Sequence, residues 1–311
     1  MTGSKSIVYR PMKYEEGEKF ISLYNRNYNR RKDTGYYKWQ FFSAPFDTTL
    51  LGAFDGETLV GCFGLQCKKL SNGLVGGFAL DLIVDKKYRG LGIFRKMGSE
   101  VLNRYSGSID FGFALSNMNG RMAEEKGLGW KNIYTIRTLL FSGNMEMPAG
   151  KPPRLCNDSV SYEWEANRKE FERCLYFIKE KGELAWRFGN NPEYSYSVIA
   201  DGNGYVVVKL FVDPATDHRF GDIVDFGIKK FDRGKTTRLF QSAVSYLNTL
   251  GIERVTAWAM PFSVSYSILK TIGFEETDHV RYFQVGTYRE KHDSLYDINN
   301  WFLVESDAEI Y

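Results

Sequence analysis

The sequence predicts a mixed α/β fold built twice over, and three observations carry that expectation. Apolar alternation of the strand kind gives way at fixed places to the apolar spacing of amphipathic helices. The stretch "EMPAGKPPRLCND" at 146–158 holds three of the eight prolines, reads as a linker, and divides the 311 residues almost in half. The halves also repeat one another. Residues 77–130 laid over 221–274 without a gap agree at eight positions: Gly77/Gly221, Asp81/Asp225, Lys86/Lys230, Arg89/Arg233, Gly90/Gly234, Gly107/Gly251, Lys126/Lys270 and Gly129/Gly273. Ordinary composition gives roughly three such matches. "WQFFSAP" (39–45) likewise returns as "WRFGNNP" (186–192), both of the form W-x-F-x-x-x-P.

Taken in order, "SIVYRPM" reads as a first strand and residues 15–25 as a helix with Phe20, Ile21 and Tyr24 on one face. Residues 48–85 supply three strands separated by the turn signals "DG" and "NG". Beyond Gly92, the apolar residues Ile93, Phe94, Met97, Val101, Leu102 and Tyr105 keep helical spacing. "DFGFALS" is a fifth strand, 119–127 a second helix in this stretch, and "WKNIYTIRTLLF" a sixth strand. The second half presents the same order of signals, so each half is a mixed α/β domain.

Composition narrows the function classes. A net charge of +3 from 41 basic and 38 acidic residues argues against nucleic-acid or membrane binding by bulk electrostatics. One local basic run, "RNYNRRK" at 26–32, is either a phosphate contact or a solvated helix end. The four cysteines form no CxxC pair and the three histidines lie far from them, so no metal site is expected. No apolar run approaches the roughly 18 to 20 residues that span a bilayer, and the start lacks a secretory apolar region. A reduced, cytoplasmic protein is expected. Aromatic residues reach 16%, and Trp39 and Trp186 in the doubled segments read either as core or as surfaces on which a sugar or base could stack.

The stretch "VDKKYRGLGIFRKM" (84–97) carries the chemistry. Glycines at a strand-to-helix junction let the backbone approach a ligand, and the helix start offers unpaired N–H groups to an anion such as a phosphate. Neither the P-loop pattern nor GxGxxG is present. The segment resembles instead the acyl-CoA pyrophosphate loop of the GNAT superfamily of N-acyltransferases, Q/R-x-x-G-x-G/A, met by Arg89 and Gly92, with Phe94 in place of the final small residue. The resemblance covers residues 6–141 and, more loosely, 160–285. It implies two tandem GNAT-like domains, each a largely antiparallel twisted sheet flanked by helices: 1–147 binding acyl-CoA, and 155–311 a degenerate copy for packing and acceptor binding.

The same resemblance implies that Arg89, Gly90, Leu91, Gly92, Ile93 and Phe94 hold the pyrophosphate. Leu82, Ile83 and Val84 would pair with the pantetheine arm, which Asn117 and Asn119 would also contact. Turn chemistry explains the two asparagines equally. Asp81, on the strand before the loop, stands where the family often carries a general base; as a strand residue it should point away from Leu80 and Leu82. It is either that base or a structural partner, and its counterpart Asp225 is assigned to the acceptor side. Glu125 stands where a general-acid tyrosine often lies, and is otherwise a solvated helix residue, in which case water returns the proton. In the second copy Thr236 and Arg238 replace Gly92 and Phe94, so one acyl-CoA per chain is expected.

Tandem chains of this size, closing like "NNWFLVESDAEIY", resemble bacterial proteins that N-acylate nucleotide-linked amino sugars such as dTDP-3-amino-3,6-dideoxyhexoses. The implied activity is transfer of an acetyl or short hydroxyacyl group to such an amine, with a homodimer left open. The alternatives are acylation of a peptide, amino acid or antibiotic amine, and a non-catalytic acyl-CoA sensor.

Overall fold

The computed structural model describes residues 6–28, 31–150, 154–156, 174–212, 217–229, 231–252, 254–288 and 292–308. Parts of the linker at 146–158 and of the basic run at 26–32 lie outside the described residues, as do 309–311 of the closing segment. In chain order the first elements are β1 (Ile7–Pro11), α1 (Gly17–Asn27), α2 (Thr34–Phe42), β2 (Thr48–Asp55), β3 (Thr58–Lys69), β4 (Val75–Val84), α3 (Ile93–Tyr105), β5 (Phe111–Ser116), α4 (Met118–Leu128) and β6 (Lys131–Ser142). There follow β7 (Arg154–Cys156), α5 (Lys181–Leu184), β8 (Ser195–Asp201), β9 (Gly204–Val212), β10 (Arg219–Ile228), α6 (Arg233–Thr249), β11 (Arg254–Ala257), α7 (Val264–Thr271) and β12 (Glu275–Thr287).

The chain forms two compact units, Met1–Tyr134 with Tyr282–Tyr296, and Thr135–Arg281 with Asp297–Tyr311, so β6 and β12 contribute residues to both. In the first unit β1, β2, β3 and β4 pair antiparallel in sequence order. The end of β12 pairs antiparallel with β5, from Tyr282 opposite Ser116 to Thr287 opposite Phe111. The strands β4 and β5 run parallel, and their ladder is short, from Gly76 opposite Phe111 to Phe78 opposite Phe113. Both strands continue past their last shared pair, β4 to Val84 and β5 to Ser116.

Helices cover the sheet because each presents one apolar stripe to it. From α3, Ile93, Met97, Val101 and Leu102 are buried on Phe63, Leu65, Ala79 and Ala114. Elsewhere α1 and α2 interlock through rings: Phe20 lies 5.3 to 6.4 Å from Tyr24, Tyr36, Tyr37 and Phe41. Such ring pairs add about 0.5–1.5 kcal/mol each beyond burial.

The second unit repeats the plan. Its β8, β9 and β10 pair antiparallel, β10 and β11 parallel, and β11 antiparallel to β6. Its core gathers Leu239, Phe240, Val244 and Leu247 of α6 with Val206, Val208, Ile223 and Phe226. Each unit thus holds a parallel strand pair with a helix, α3 or α6, between the two strands in sequence.

Candidate functional site

The mouth of α3 follows directly from its glycines. Gly90 and Gly92 have φ of +81° and +73°, left-handed conformations that glycine adopts without a Cβ penalty. Gly92 is the N-cap residue, and no side chain caps the helix. A Cβ at Gly90 or Gly92 would meet nothing within 4 Å, so the loop's outer side is open. The first turn carries Arg95 and Lys96, both exposed, and no acidic residue. Cations there oppose the helix dipole unless an anion is held between them. Arg89 Nε donates to Val84 O at 3.1 Å, folding the arginine back along the end of β4. Leu91, between the glycines, is 61% exposed.

Phe94 does not crowd this loop. Its ring lies 5.8 Å from that of Phe63, and Gly127 of α4 makes room for it, since a Cβ there would fall 2.9 Å from Phe94 Cδ1. The bulky residue is thus matched by a glycine in the packing of α3 on α4.

At Asp81 the strand alternation expected from the sequence fails. Asp81 and Leu82 together oppose Phe63, a β-bulge between the pairs Cys62–Ile83 and Gly64–Leu80. Asp81 itself has φ of +47°, a strained conformation for a residue with a Cβ, costing on the order of 1–3 kcal/mol. Its neighbour Leu80 lies by Phe41 of α2 at the space above Gly64, and Asp81 also turns towards α2. There the Tyr36 hydroxyl donates to Asp81 Oδ2 at 2.9 Å. The Cys62 thiol donates to the Asp81 carbonyl oxygen at 3.2 Å. Asp81 is only 4% exposed, and beyond it Leu82, Ile83 and Val84 run past the end of the β4–β5 ladder towards the loop.

On α4 the sequence picked the neighbour of the buried carboxyl. Glu125 is a partly exposed residue ion-paired with Arg121 at 2.9 Å. Glu124 is fully buried, accepts from the Ser116 hydroxyl at 2.5 Å, and accepts from the Gln284 amide. Burial pushes its carboxyl up to about 7, against the opposing effect of those two donors and with a further push from Glu125. Gln284 Oε1 has no partner, which suits a neutral Glu124 able to donate once the amide turns over. The available signal was the spacing of Arg121 and Glu125, which turns Glu125 outward and Glu124 inward. Asn117 caps α4, accepting from Gly120 N at 3.0 Å, and Asn119 is exposed in its first turn.

Among the described residues of the basic run at 26–32, the cations are turned to different partners. Arg26 pairs with Asp85 at 3.1 Å, whereas Lys32 is buried with its ammonium 3.3 Å from the centre of the Tyr36 ring. Trp39 is buried beside Tyr36, with ring centres 6.0 Å apart. Trp186 is buried in the second unit.

The counterparts in the second unit are closed by the chain itself. Asp225 sits just after a bulge in β10 and is fully buried, held by Lys179 at 2.6 Å and by the Ser306 hydroxyl. The α6 helix is capped by Asp232, whose carboxylate accepts from Lys235 N at 2.9 Å. Arg233 donates to Ser267 and Thr271, and buried Thr236 accepts from Asn203 at 3.3 Å. Among the described residues no group of three or more His, Cys, Asp or Glu could hold a metal, and no helix is long and apolar enough to cross a membrane.

No family model and no curated protein matches the chain. Solved structures share its fold. Saccharomyces cerevisiae N-myristoyltransferase with bound myristoyl-CoA aligns over 94% of this chain and 85% of its own, at TM-score 0.67 and 12% identity. A putative acetyltransferase from Pyrococcus horikoshii aligns over 94% of both chains at 0.61 and 12% identity. A GCN5-related N-acetyltransferase from Anabaena variabilis aligns over 90% of this chain and 72% of its own at 0.65 and 11% identity. The fold is therefore that of GNAT-type N-acyltransferases.

Proposed function

We propose that the chain is an acyl-CoA-dependent N-acyltransferase with one donor site, at the mouth of α3. The observation that carries the reading is the uncapped, glycine-led start of that helix, set between Arg89, Arg95 and Lys96 at the end of β4. Unpaired N–H groups and cations at a helix start suit a pyrophosphate. The acyl-CoA supplies the thioester; Leu82 to Val84 offer strand backbone alongside which its arm can lie.

Asp81 is the base. Its carboxylate takes a proton from the acceptor ammonium, and the freed amine attacks the thioester carbonyl. The new C–N bond forms as the C–S bond breaks; the nitrogen sheds its second proton to water and the departing thiolate takes one up from water, because Glu125 is held by Arg121. The products are an amide and free CoA.

For the acceptor we favour a nucleotide-linked amino sugar, the class implied by the closing segment. A second reading is a peptide amine, supported by likeness to an N-myristoyltransferase over 94% of this chain. The deciding experiment is a thiol-release assay with acetyl-CoA and longer acyl-CoAs against dTDP- and UDP-amino sugars and peptides with free N-termini. Turnover on one class assigns the acceptor. Tight CoA binding with no turnover on any amine would overturn the enzymatic reading.

A further inference from the structure

Counting back from the two W-x-F segments sets Gly35 against Gly182 and Lys32 against Lys179. Each lysine immediately precedes the N-cap residue of the next helix, Asp33 for α2 and Glu180 for α5. Both are buried, at 8% and 3% exposure. Lysine is almost never buried unless its charge is answered, so two buried lysines at one repeat position call for a reason.

The second unit shows what such a lysine can do. Lys179 Nζ lies 2.6 Å from Asp225 Oδ2, and Asp225 is the repeat partner of Asp81. Asp307 at 2.8 Å and Ser306 at 2.5 Å also hold it, both from the buried segment 305–308. An ammonium shared between two carboxylates is locked.

In the first unit the same pair is joined through a ring. Lys32 Nζ rests 3.3 Å from the Tyr36 ring centre and 5.6 Å from that of Tyr24, and the Tyr36 hydroxyl donates to Asp81. The lysine's own backbone is pinned on both sides by the Asn25 side chain, through Lys32 N at 3.0 Å and Lys32 O at 3.1 Å. At the equivalent of Tyr36 the second unit has Glu183. The aromatic ring is thus a feature that the first lysine–aspartate arrangement has and the second lacks at that position.

We infer that Lys32 is a positioning residue for the proposed acyl transfer, holding the Asp81 carboxylate ionised and aligned through the Tyr36 ring and hydroxyl, so that Asp81 can receive the acceptor's proton. This rests on the reading of Asp81 as the base. A cation on the ring face polarises the phenol and strengthens its hydrogen bond to the carboxylate, and its field favours the charged form of Asp81. Tyr36 of α2 and Cys62 of β3 bond Asp81, and Lys32, from the segment before α2, lies against the rings of Tyr36 and of Tyr24 of α1. Lys32 brings a cation to this cluster, and its removal should make Asp81 easier to protonate.

The test is the pH profile of kcat/KM for Lys32→Met beside Lys32→Arg and Tyr36→Phe. Lys32→Met should move the acid limb upward by about one pH unit, so that activity falls roughly tenfold at acid pH and recovers as pH rises. Lys32→Arg should restore the limb, and Tyr36→Phe should move it the same way by less. A lysine needed only for packing would lower activity equally at every pH, and that result, in a variant that still binds CoA, would overturn the inference. If Lys32→Met does not fold, the Tyr36→Phe profile decides, an unmoved limb counting against the role. If the unmodified protein acylates no amine, NMR titration of the Asp81 carboxyl in the same proteins separates the two ideas. Titration at higher pH without Lys32 supports the lysine's role even if the acyl-transfer reading fails, and an unchanged titration overturns it. Lys179→Met should lower thermal stability and leave the acid limb where it is.

Discussion

The mouths of α3 and α6 descend from one plan, each opening near an Arg-Gly pair after a strand that bears a buried, bulge-associated aspartate. At α3 the N-cap is a left-handed glycine and the helix end is left to whatever anion approaches. At α6 the N-cap is Asp232, whose carboxylate already occupies the helix end, while Arg233 turns to α7. Keeping the Arg-Gly dipeptide is therefore not the same as keeping an anion site. The residue at the N-cap decides, because a helix end satisfied from within has nothing left to offer.

The aspartates give the largest contrast. Asp81→Asn should lower kcat by about 10²–10⁴ in the thiol-release assay with the fold retained, since Tyr36 can still donate to an amide oxygen. Asp225→Asn should act on stability, weakening a buried ion pair around Lys179 at a cost of about 3–5 kcal/mol in denaturant unfolding. Activity lost without instability at Asp225, or instability alone at Asp81, would reverse the roles assigned to the two units.

Glu124 sharpens the comparison from the far side of α4. A carboxyl raised from its ordinary value to about 7 is protonated in the folded protein where the unfolded chain is ionised. Its contribution is full below about pH 4.5 and is lost as pH rises through about 7, a fall of about 3 kcal/mol. Glu124→Gln should flatten that slope in denaturant titrations between pH 4.5 and 8. The glutamine amide can donate to the unpartnered Gln284 Oε1, so the variant should fold. An unchanged slope would show that Glu124 is ionised.

Much of this was legible in the sequence, for physical reasons. Glycines that must sit at positive φ, turn dipeptides and helical spacing are local, and they placed β1 to β6, α3 and the loop at Arg89–Phe94. The bulge at Asp81 was not legible, because it depends on one residue of β3 facing two of β4. Nor was the burial of Lys32: within "RNYNRRK" it looks like its neighbours, and the packing of α1 on α2, which brings the Tyr24 and Tyr36 rings to it, is not written in the charge pattern. Gln284 joins Glu124 from 160 residues away, through the return of 282–296 to the first unit, which no local pattern announces.

Between the two helix mouths, Gly92→Glu is the next largest effect. A side chain at φ of +73° is strained, and its negative charge would meet the incoming pyrophosphate. CoA affinity measured by calorimetry should fall on the order of 100-fold, about 2.7 kcal/mol. Affinity within a few-fold of the unmodified protein would place the donor elsewhere than at α3.

The smallest effect tests whether the cap alone closed the second mouth. Asp232→Ala leaves Lys235 N without its acceptor, which should cost about 1 kcal/mol and lower Tm by about 2–4 °C. No CoA binding should appear at α6, because Gly234 lacks the left-handed turn of Gly92, Thr236 is buried against Asn203, and Arg233 is engaged by Ser267 and Thr271. The informative form is the double variant Gly92→Glu with Asp232→Ala. If CoA binding returns in it, one carboxylate had been enough to shut a site otherwise intact; if binding stays lost, the loop backbone had changed as well, and the second mouth could not be reopened by removing its cap.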